Sequence, residues 1–225
     1  MPRIARIVVA GLAHHVTQRG NNRQDVFLTD ADRASYLQAL KYQATKCRLD
    51  VLGYCMMVNH VHLVVVPQSD TALAQAIGRT HFTYAQRFNT EHGRSGHLWQ
   101  GRFYSCAMER GRELAILRYV EQNPVRARMV ERAEGYNWSS AAGHTGRRVD
   151  PLLSDRHGML SGIEDWSAWL EGREPEEAIE QLRLRTRTGR PLGDAGFLEA
   201  LESRLGRRLK PKPRGRRRKA PGKDE

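Results

Sequence analysis

Two histidines stand two residues apart in a β-rich segment, at positions 60 and 62 of NHVHLVVV (59–66). Because side chains two residues apart on a strand point to the same face, His60 and His62 project together and the apolar side chains between them project to the other. Two imidazoles on one strand can hold a divalent metal ion, with phosphate, water or carbonyl oxygen completing its shell. The pair predicts a metal site, although such pairs also occur on ordinary strands and catalytic zinc would need another protein ligand.

A tyrosine and an asparagine lie four residues apart in the helix-forming segment LAILRYVEQNP (114–124). Tyr119 and Asn123 therefore share one helix face. If that face covers the sheet above the histidine pair, a phenol lies beside a metal-bound phosphate, which is the arrangement of a phosphotyrosine-forming site. Asn123 can add an oxygen ligand. Taken alone, a helical tyrosine is more often a packing residue, so the structural interpretation stays open.

Two short clusters mix cations, amides and aromatic rings: QRGNNR (18–23) and WQGRFY (99–104). Such mixtures suit single-stranded nucleic acids, whose bases stack on rings while arginines follow the phosphates. Ordinary turn and strand packing explains each cluster equally well. The DNA-contact candidates that the clusters supply are Arg19, Asn21, Asn22, Arg23, Trp99, Gln100 and Arg102.

The chain is strongly basic, with a net charge of +12 and a pI of about 10.2. Residues 204–225 hold 11 Lys/Arg against 2 Asp/Glu, whereas residues 146–203 are net acidic. A basic segment gains affinity for DNA by releasing counterions from phosphates, and this one lacks the apolar anchors of a membrane-surface segment. The further DNA-contact candidates are Arg126, Arg187, Arg190, Arg207, Arg208, Lys210, Arg216, Arg217 and Arg218.

Composition bounds the class of protein. No apolar run approaches the length that crosses a bilayer, and Arg6 interrupts the short apolar stretch near the start. The three cysteines are far apart, which fits neither a disulfide framework nor a CxxC zinc site. We expect a cytoplasmic, nucleoid-associated protein without membrane contact.

The pattern along the chain predicts six elements that could position these residues, in the order strand, helix, strand, strand, helix, strand. They are strand 12–19, helix 31–46 capped by Thr29 or Asp30, strand 50–57, strand 60–66, helix 71–91 and strand 97–108. This order is typical of an α+β, ferredoxin-like (split β-α-β) antiparallel sheet whose helices cover one face and leave the other open. A further helix over 112–123, ended by Pro124, would carry Tyr119.

The remainder predicts a small helical region and a basic tail. Residues 146–165 form an irregular connection, and helices over 174–184 and 197–205 flank a basic turn at 186–193. The helix pair is either a small DNA-reading module or a pair docked on the core. We therefore expect a catalytic domain over 1–145, a connection and helical module over 146–205, and a disordered tail over 206–225.

Seven blocks in order carry a resemblance to a known family, and they span nearly the whole chain. The sequence resembles the REP-associated tyrosine transposases, a branch of the single-tyrosine HUH transposases of bacterial insertion sequences. The blocks are HHVTQRGNNRQ (14–24), VNHVHLVV (58–65), GHLWQGRFYS (96–105), YVEQNPVRARMV (119–130), YNWSSAAGH (136–144), TRTGRPLG (186–193) and GRRLKPKPRGRRRK (206–219).

The resemblance implies a specific chemistry. His60 and His62 are expected to bind Mg²⁺ or Mn²⁺ with help from Asn123, and Tyr119 to attack a DNA phosphate, join the 5′ end and release a 3′-OH. The implied substrate is single-stranded DNA with imperfect hairpins, such as repetitive extragenic palindromes. Members act as monomers or as homodimers, and the sequence does not choose between the two.

Two alternatives remain open on the residues alone. One is a nucleic-acid-binding module without catalysis on the same ferredoxin-like sheet, although His60 and His62 stand where stacking rings would be wanted. The other is a metal-dependent nuclease that uses water, with Tyr119 purely structural. Two histidines hold a hydrolytic metal poorly, which makes this the weaker alternative.

Overall fold

The structure, a computed structural model, describes residues 6–155, 158 and 160–209. Its four strands are β1 (His14–Arg19), β2 (Leu49–Met57), β3 (His60–Pro67) and β4 (Tyr104–Ala107). Its helices are α1 (Asp30–Cys47), α2 (Ala72–Glu91), α3 (Glu113–Glu121), α4 (Asn123–Arg126), α5 (Ala141–His144), α6 (Trp166–Glu171), α7 (Glu176–Thr188) and α8 (Ala195–Leu205).

The strands form one antiparallel sheet in the order β2-β3-β1-β4. With α1 between β1 and β2, and α2 between β3 and β4, the element order is the predicted split β-α-β. The predicted α+β, ferredoxin-like fold is confirmed. The histidine strand β3 lies inside the sheet, where Thr17 of β1 pairs with His62 on one side and Cys55 of β2 pairs with it on the other.

Helices pack on both faces of the sheet, so the prediction of one open face is wrong. The long helices α1 and α2 pack with Leu63 and its neighbours on the first face. On the second face, α3, α6 and α7 pack with Leu52 and Val64. The reason is visible in β2 and β3, which are apolar at consecutive positions, as strands buried on both faces are.

Two boundaries differ from the sequence prediction. The strand predicted over 97–108 shrinks to β4, because residues 98–100 bond instead to the end of β1 and its turn, with Gln100 N donating to Arg19 O and Asn21 N to Leu98 O. Pro124 does not end the tyrosine helix; α3 ends at Glu121, and the proline lies in the first turn of α4, where its missing N–H costs nothing. Thr29 caps α1 in a reciprocal capping box with Asp32.

The chain divides into two compact units, 1–193 and 194–225. The first runs past the predicted boundary at 145, because Trp166, Leu170 and Leu182 belong to the core on the second face of the sheet. The second unit is described only to Leu209 and contains α8, which Asp194 caps by accepting from Phe197 N. The predicted tail from Lys210 onward lies outside the described residues. Among the described helices, none is long and apolar enough to cross a membrane.

Candidate active site

Strand alternation places the histidine pair as the sequence predicts. His62 is 7% exposed and faces α3, whereas Val61 and Leu63 belong to the core under α1 and α2. The ring centroids of His60 and His62 are 5.0 Å apart. His15, on β1, stacks on His62 with centroids 5.1 Å apart and planes 12° apart. His14 points away, and its Nε2 accepts from Val9 N.

Each member of the pair is held by one ring nitrogen. Nδ1 of His60 lies 2.7 Å from Oδ1 of Asn59, and since that oxygen only accepts, His60 keeps a lone pair on Nε2. Nδ1 of His62 lies 2.9 Å from Nε2 of His15, whose own Nδ1 lies 2.8 Å from Oγ1 of Thr186. Nε2 is therefore the nitrogen that remains for a ligand on both His60 and His62.

Burial keeps these imidazoles neutral. It lowers the pKa of His15 to about 3, and together with the charge of Arg19 it lowers the pKa of His60 to about 4. The pKa of His62 falls well below its usual range, chiefly through burial and then through the neighbouring histidines and Arg126. Neutral imidazole is the form that binds metal ions, so the site is ready for one at neutral pH.

The helix that carries Tyr119 sits unusually close to the sheet. A Cβ at Gly53 of β2 would lie 2.2 Å from Cδ1 of Leu117, so glycine lets the Leu117 side chain pack directly against the strand backbone. Glu121, fully buried, accepts hydrogen bonds from the Ser140 hydroxyl and, at 3.0 Å, from Nε1 of Trp166. These contacts fix the rotation of α3 and hence the direction of the phenol.

Tyr119 meets the histidines edge-on. Its ring centroid is 5.9 Å from that of His62 and 6.1 Å from that of His15, and the residue is 5% exposed. Two guanidiniums flank the phenol. Cζ of Arg126 lies 4.3 Å from the ring centroid and Cζ of Arg183 lies 5.8 Å from it, and the interaction with Tyr119 raises the pKa of Arg183.

Asn123 lies one turn beyond the tyrosine. Its Nδ2 donates to the carbonyl oxygens of Tyr119 and Val120, at 3.2 and 3.0 Å. The amide oxygen is consequently the atom that Asn123 can offer to a metal ion.

One pocket of about 470 Å³ brings these groups together. Its polar lining gathers predicted residues and residues that the sequence reasoning missed. The predicted members are Arg19, His60, His62, Gln100, Tyr119, Asn123 and Arg187, and the others are His15, Thr17, Tyr104, Arg183 and Thr186. Arg183 and Thr186 escaped because the sequence does not show that α7 packs beside this pocket, and Thr186 also fell in residues interpreted as a turn.

The remaining DNA-contact candidates are scattered. Asn21, Asn22 and Arg23 form a 3₁₀ turn after β1, and Arg190 follows α7. Arg102 lines a different pocket. Arg207 and Arg208 belong to the second unit, and Lys210, Arg216, Arg217 and Arg218 lie outside the described residues.

The proposal of Trp99 as a stacking surface is wrong for this structure. Trp99 is 9% exposed, packs among Tyr36, Tyr84 and His81, and donates its indole N–H to His81 O at 3.0 Å. An amphipathic ring whose polar atom finds a buried partner is a core residue.

The donor set suits Mg²⁺ or Mn²⁺. Two imidazole nitrogens and an amide oxygen leave positions for water and phosphate oxygens, whereas a closed zinc site would need a fourth protein ligand. In the described part of the chain, the only three-residue group of His, Cys, Asp and Glu side chains close enough to share an ion is Asp32, Glu91 and His92. It joins the start of α1 to the end of α2 and lies outside this pocket.

Comparison with known proteins identifies the family. The model of the IS200-like transposase family matches residues 8–123, which is more than half of the chain. The chain belongs to the IS200-like transposase family. The matched segment contains the histidine pair, Tyr119 and Asn123, so the pocket belongs to a transposase, a class of enzyme that cleaves and rejoins DNA.

One solved structure supports the fold of this transposase. A REP-associated tyrosine transposase bound to a REP hairpin is 17% identical, with a TM-score of 0.53 over 73% of this chain and 96% of that one. A protein from Deinococcus radiodurans assigned as a transposase is 20% identical over 54% of this chain and 97% of that one, with a TM-score of only 0.37. No curated protein sequence matches significantly.

Proposed function

We propose that this transposase cleaves and rejoins single-stranded DNA through a 5′-phosphotyrosine intermediate at Tyr119. The supporting observation is that His60, His62, Asn123 and Tyr119 line one pocket although they come from different elements. If Tyr119 were only a packing residue, or if the histidine pair had arisen by chance, these four side chains would have no reason to line the same pocket.

His60, His62 and Asn123 would hold Mg²⁺ or Mn²⁺ through Nε2, Nε2 and the amide oxygen. The bound ion would neutralise charge on the phosphoryl oxygens during attack and during its reversal. Asn59 and His15 hold the opposite ring nitrogens and so keep the two imidazoles in place.

The covalent step involves Tyr119 directly. Its phenolic oxygen releases its proton to solvent and bonds to phosphorus, the bond from phosphorus to the 3′ oxygen breaks, and that oxygen takes up a proton from solvent to leave as a 3′-OH. Arg183, whose Cζ lies 5.8 Å from the ring centroid, would stabilise the negative charge that develops around the phosphate during attack. Because the product is still a phosphodiester, a 3′-OH can reverse the step without ATP.

The proposed substrate is a hairpin-forming, REP-like single strand. The solved relative was bound to a REP hairpin, which is a property of that protein and supports the proposal here. Arg19, Gln100 and Arg187 surround the pocket and suit the phosphates of a strand that enters it. We assign catalysis to the unit that ends at residue 193 and additional DNA affinity to residues 206–225.

The test is a denaturing gel after incubation with a labelled hairpin-bearing strand and Mn²⁺. The parent protein should form a covalent adduct, Tyr119→Phe should form none, and Tyr42→Phe, altered at an exposed site on α1, should match the parent. His60→Ala should lose cleavage and keep most binding.

Three outcomes would contradict the proposal. An adduct on Tyr119→Phe would move the nucleophile elsewhere. Cleavage without any adduct on the parent protein would favour a water-using nuclease. Binding without cleavage at any Mg²⁺ or Mn²⁺ concentration would favour the non-catalytic module.

A further inference from the structure

A second pocket, of about 640 Å³, lies between α2 and the loop that precedes β4. Its wall from α2 includes Phe82, Gln86 and Asn89, which share one helix face, and its opposite wall includes Arg102 and Phe103. This volume is within the range of small-ligand sites. Nothing in the proposed chemistry at Tyr119 uses it.

Two guanidiniums line this pocket, those of Arg6 and Arg102. Arg6 lies over the Phe103 ring, with Cζ 3.6 Å from its centroid, and donates to Phe103 O at 3.0 Å. Burial and then the charge of Arg102 lower the pKa of Arg6 to about 10. In the described part of the chain, neither guanidinium pairs with a carboxylate. Two like charges held together without a counter-ion attract an anion such as phosphate.

An exposed ring completes the pocket. Phe82 is 64% exposed, although most large apolar side chains of this unit are buried. Gln86 and Asn89 lie one and two turns further along the same helix and offer amide donors and acceptors. A ring, amides and guanidiniums side by side are what an unpaired nucleotide requires, because its base stacks while its phosphate is neutralised.

The loop that precedes β4 lines both pockets. Gln100 lines the candidate active site, whereas Trp99, Gly101 and Arg102 line the second pocket. The backbone bends at Gly101, whose φ of +127° favours glycine. Because Gln100 and Arg102 are only two residues apart, a single DNA strand that follows the loop can contact both.

We propose that the second pocket binds an unpaired nucleotide of the DNA substrate, with a backbone phosphate between Arg6 and Arg102 and the base stacked on Phe82. This site rests on the proposed function, because the strand that fills it is the one Tyr119 cleaves. It moves the stacking role that the sequence suggested for Trp99 to an exposed ring in the same pocket.

Binding of a fluorescent single-stranded oligonucleotide tests this site apart from catalysis. Anisotropy is measured on full-length protein carrying Tyr119→Phe, without added metal. Phe82→Ala should weaken binding roughly five- to hundredfold, as loss of one base stack does, and Phe82→Tyr should restore it. Tyr42→Ala is the matched control: Tyr42 is 62% exposed, lies on α1 outside both sites, and its loss should leave affinity unchanged.

Charge and fluorescence give independent measurements. Arg102→Gln should reduce the salt dependence of log K by about 0.7, the value for one phosphate contact on a single strand. A Phe82→Trp protein should show a quenched tryptophan signal with single strands and little change with blunt duplex, in which bases stay stacked.

The site is refuted if Phe82→Ala and Arg102→Gln bind single strands as tightly as the parent, or if Tyr42→Ala weakens binding equally. If the second pocket does not bind a nucleotide, the parent protein still forms the covalent adduct at Tyr119. If the proposed function is wrong, no adduct forms, but the affinities of these variants for single strands can still be measured. Both altered side chains are exposed, and unchanged thermal unfolding confirms that each variant folds.

Discussion

At the scale of single residues, the proposed metal binding by His62 depends on neighbours outside the proposed donor set. In the arrangement that leaves Nε2 of His62 free, its Nδ1 donates to Nε2 of His15, and Nδ1 of His15 donates to Oγ1 of Thr186. Thr186 lies on α7, far from the histidines in sequence. Partners of this kind set the tautomer and orientation of a ligand.

Thr186→Val removes only the hydroxyl and should weaken Mn²⁺ binding by about ten- to hundredfold, the usual loss when an outer partner of a ligand is removed. Electron paramagnetic resonance of free Mn²⁺ during titration measures it. Thr188→Val, on an exposed position of the same helix, should bind like the parent. Equal affinity of the Thr186→Val protein would exclude an orienting role.

A second residue-scale prediction concerns His81, which is buried beside Trp99 with Nε2 3.0 Å from the Tyr36 hydroxyl. Burial lowers its pKa to about 3. Below about pH 6.5 the His81 imidazole is protonated in the unfolded chain, whereas in the folded protein it stays neutral down to about pH 3. The free energy of unfolding therefore decreases as the pH falls from 6.5 to 3.

Urea unfolding at pH 7, 6 and 5 should show that the free energy of unfolding falls as the pH falls. In the His81→Gln protein this pH dependence should be smaller by about 1.4 kcal/mol per pH unit below pH 6.5. His97→Gln, at an exposed histidine, should keep the parent slope. Parallel slopes for all three proteins would mean that His81 does not couple folding to pH.

At the scale of elements, the position of α3 decides whether Tyr119 reaches the histidines. A Cβ at Gly53 would lie 2.2 Å from Cδ1 of Leu117 and 2.8 Å from the Ser140 hydroxyl oxygen, so the buried Leu117 side chain, or the helix with it, must shift. Gly53→Ala should cost about 1–3 kcal/mol of unfolding free energy and reduce adduct formation more than DNA binding. Chemical denaturation and the adduct gel measure the two effects.

Gly78→Ala is the control for this change. A Cβ at Gly78 of α2 meets nothing within 4 Å, and replacing a helical glycine with alanine should stabilise by about 0.5–1 kcal/mol. If Gly53→Ala were as stable as the parent, α3 would not be held by close packing at that glycine.

The sequence predicted what depends on local periodicity. The shared face of His60 and His62, and that of Tyr119 and Asn123, follow from the repeat of a strand and of a helix. Arg183 and Thr186 could not be foreseen, because their distance to the site is set by how α7 packs on the sheet rather than by spacing. Trp99 was misplaced because composition does not say whether an aromatic ring in a basic cluster turns inward.

At the scale of the whole molecule, positive charge is concentrated in residues 204–225, which hold 11 Lys/Arg. Deleting residues 206–225 should weaken DNA binding and lower its salt slope, while cleavage of bound substrate continues. Binding isotherms at several salt concentrations, with single-turnover cleavage at saturating protein, separate the two. An unchanged slope would mean that these residues do not contact phosphate.

The way α7 completes the pocket has a practical consequence for any shortened version of this enzyme. Cutting the gene where the match to the family model ends, at codon 123, would remove the apolar side chains of Leu182 and its neighbours, which cover Leu52 and Val64. Such a fragment would aggregate through the bared sheet and would also lack Arg183 and Thr186. The shortest fragment that folds and keeps the whole pocket should therefore extend to Gly193, about seventy codons beyond the end of that match.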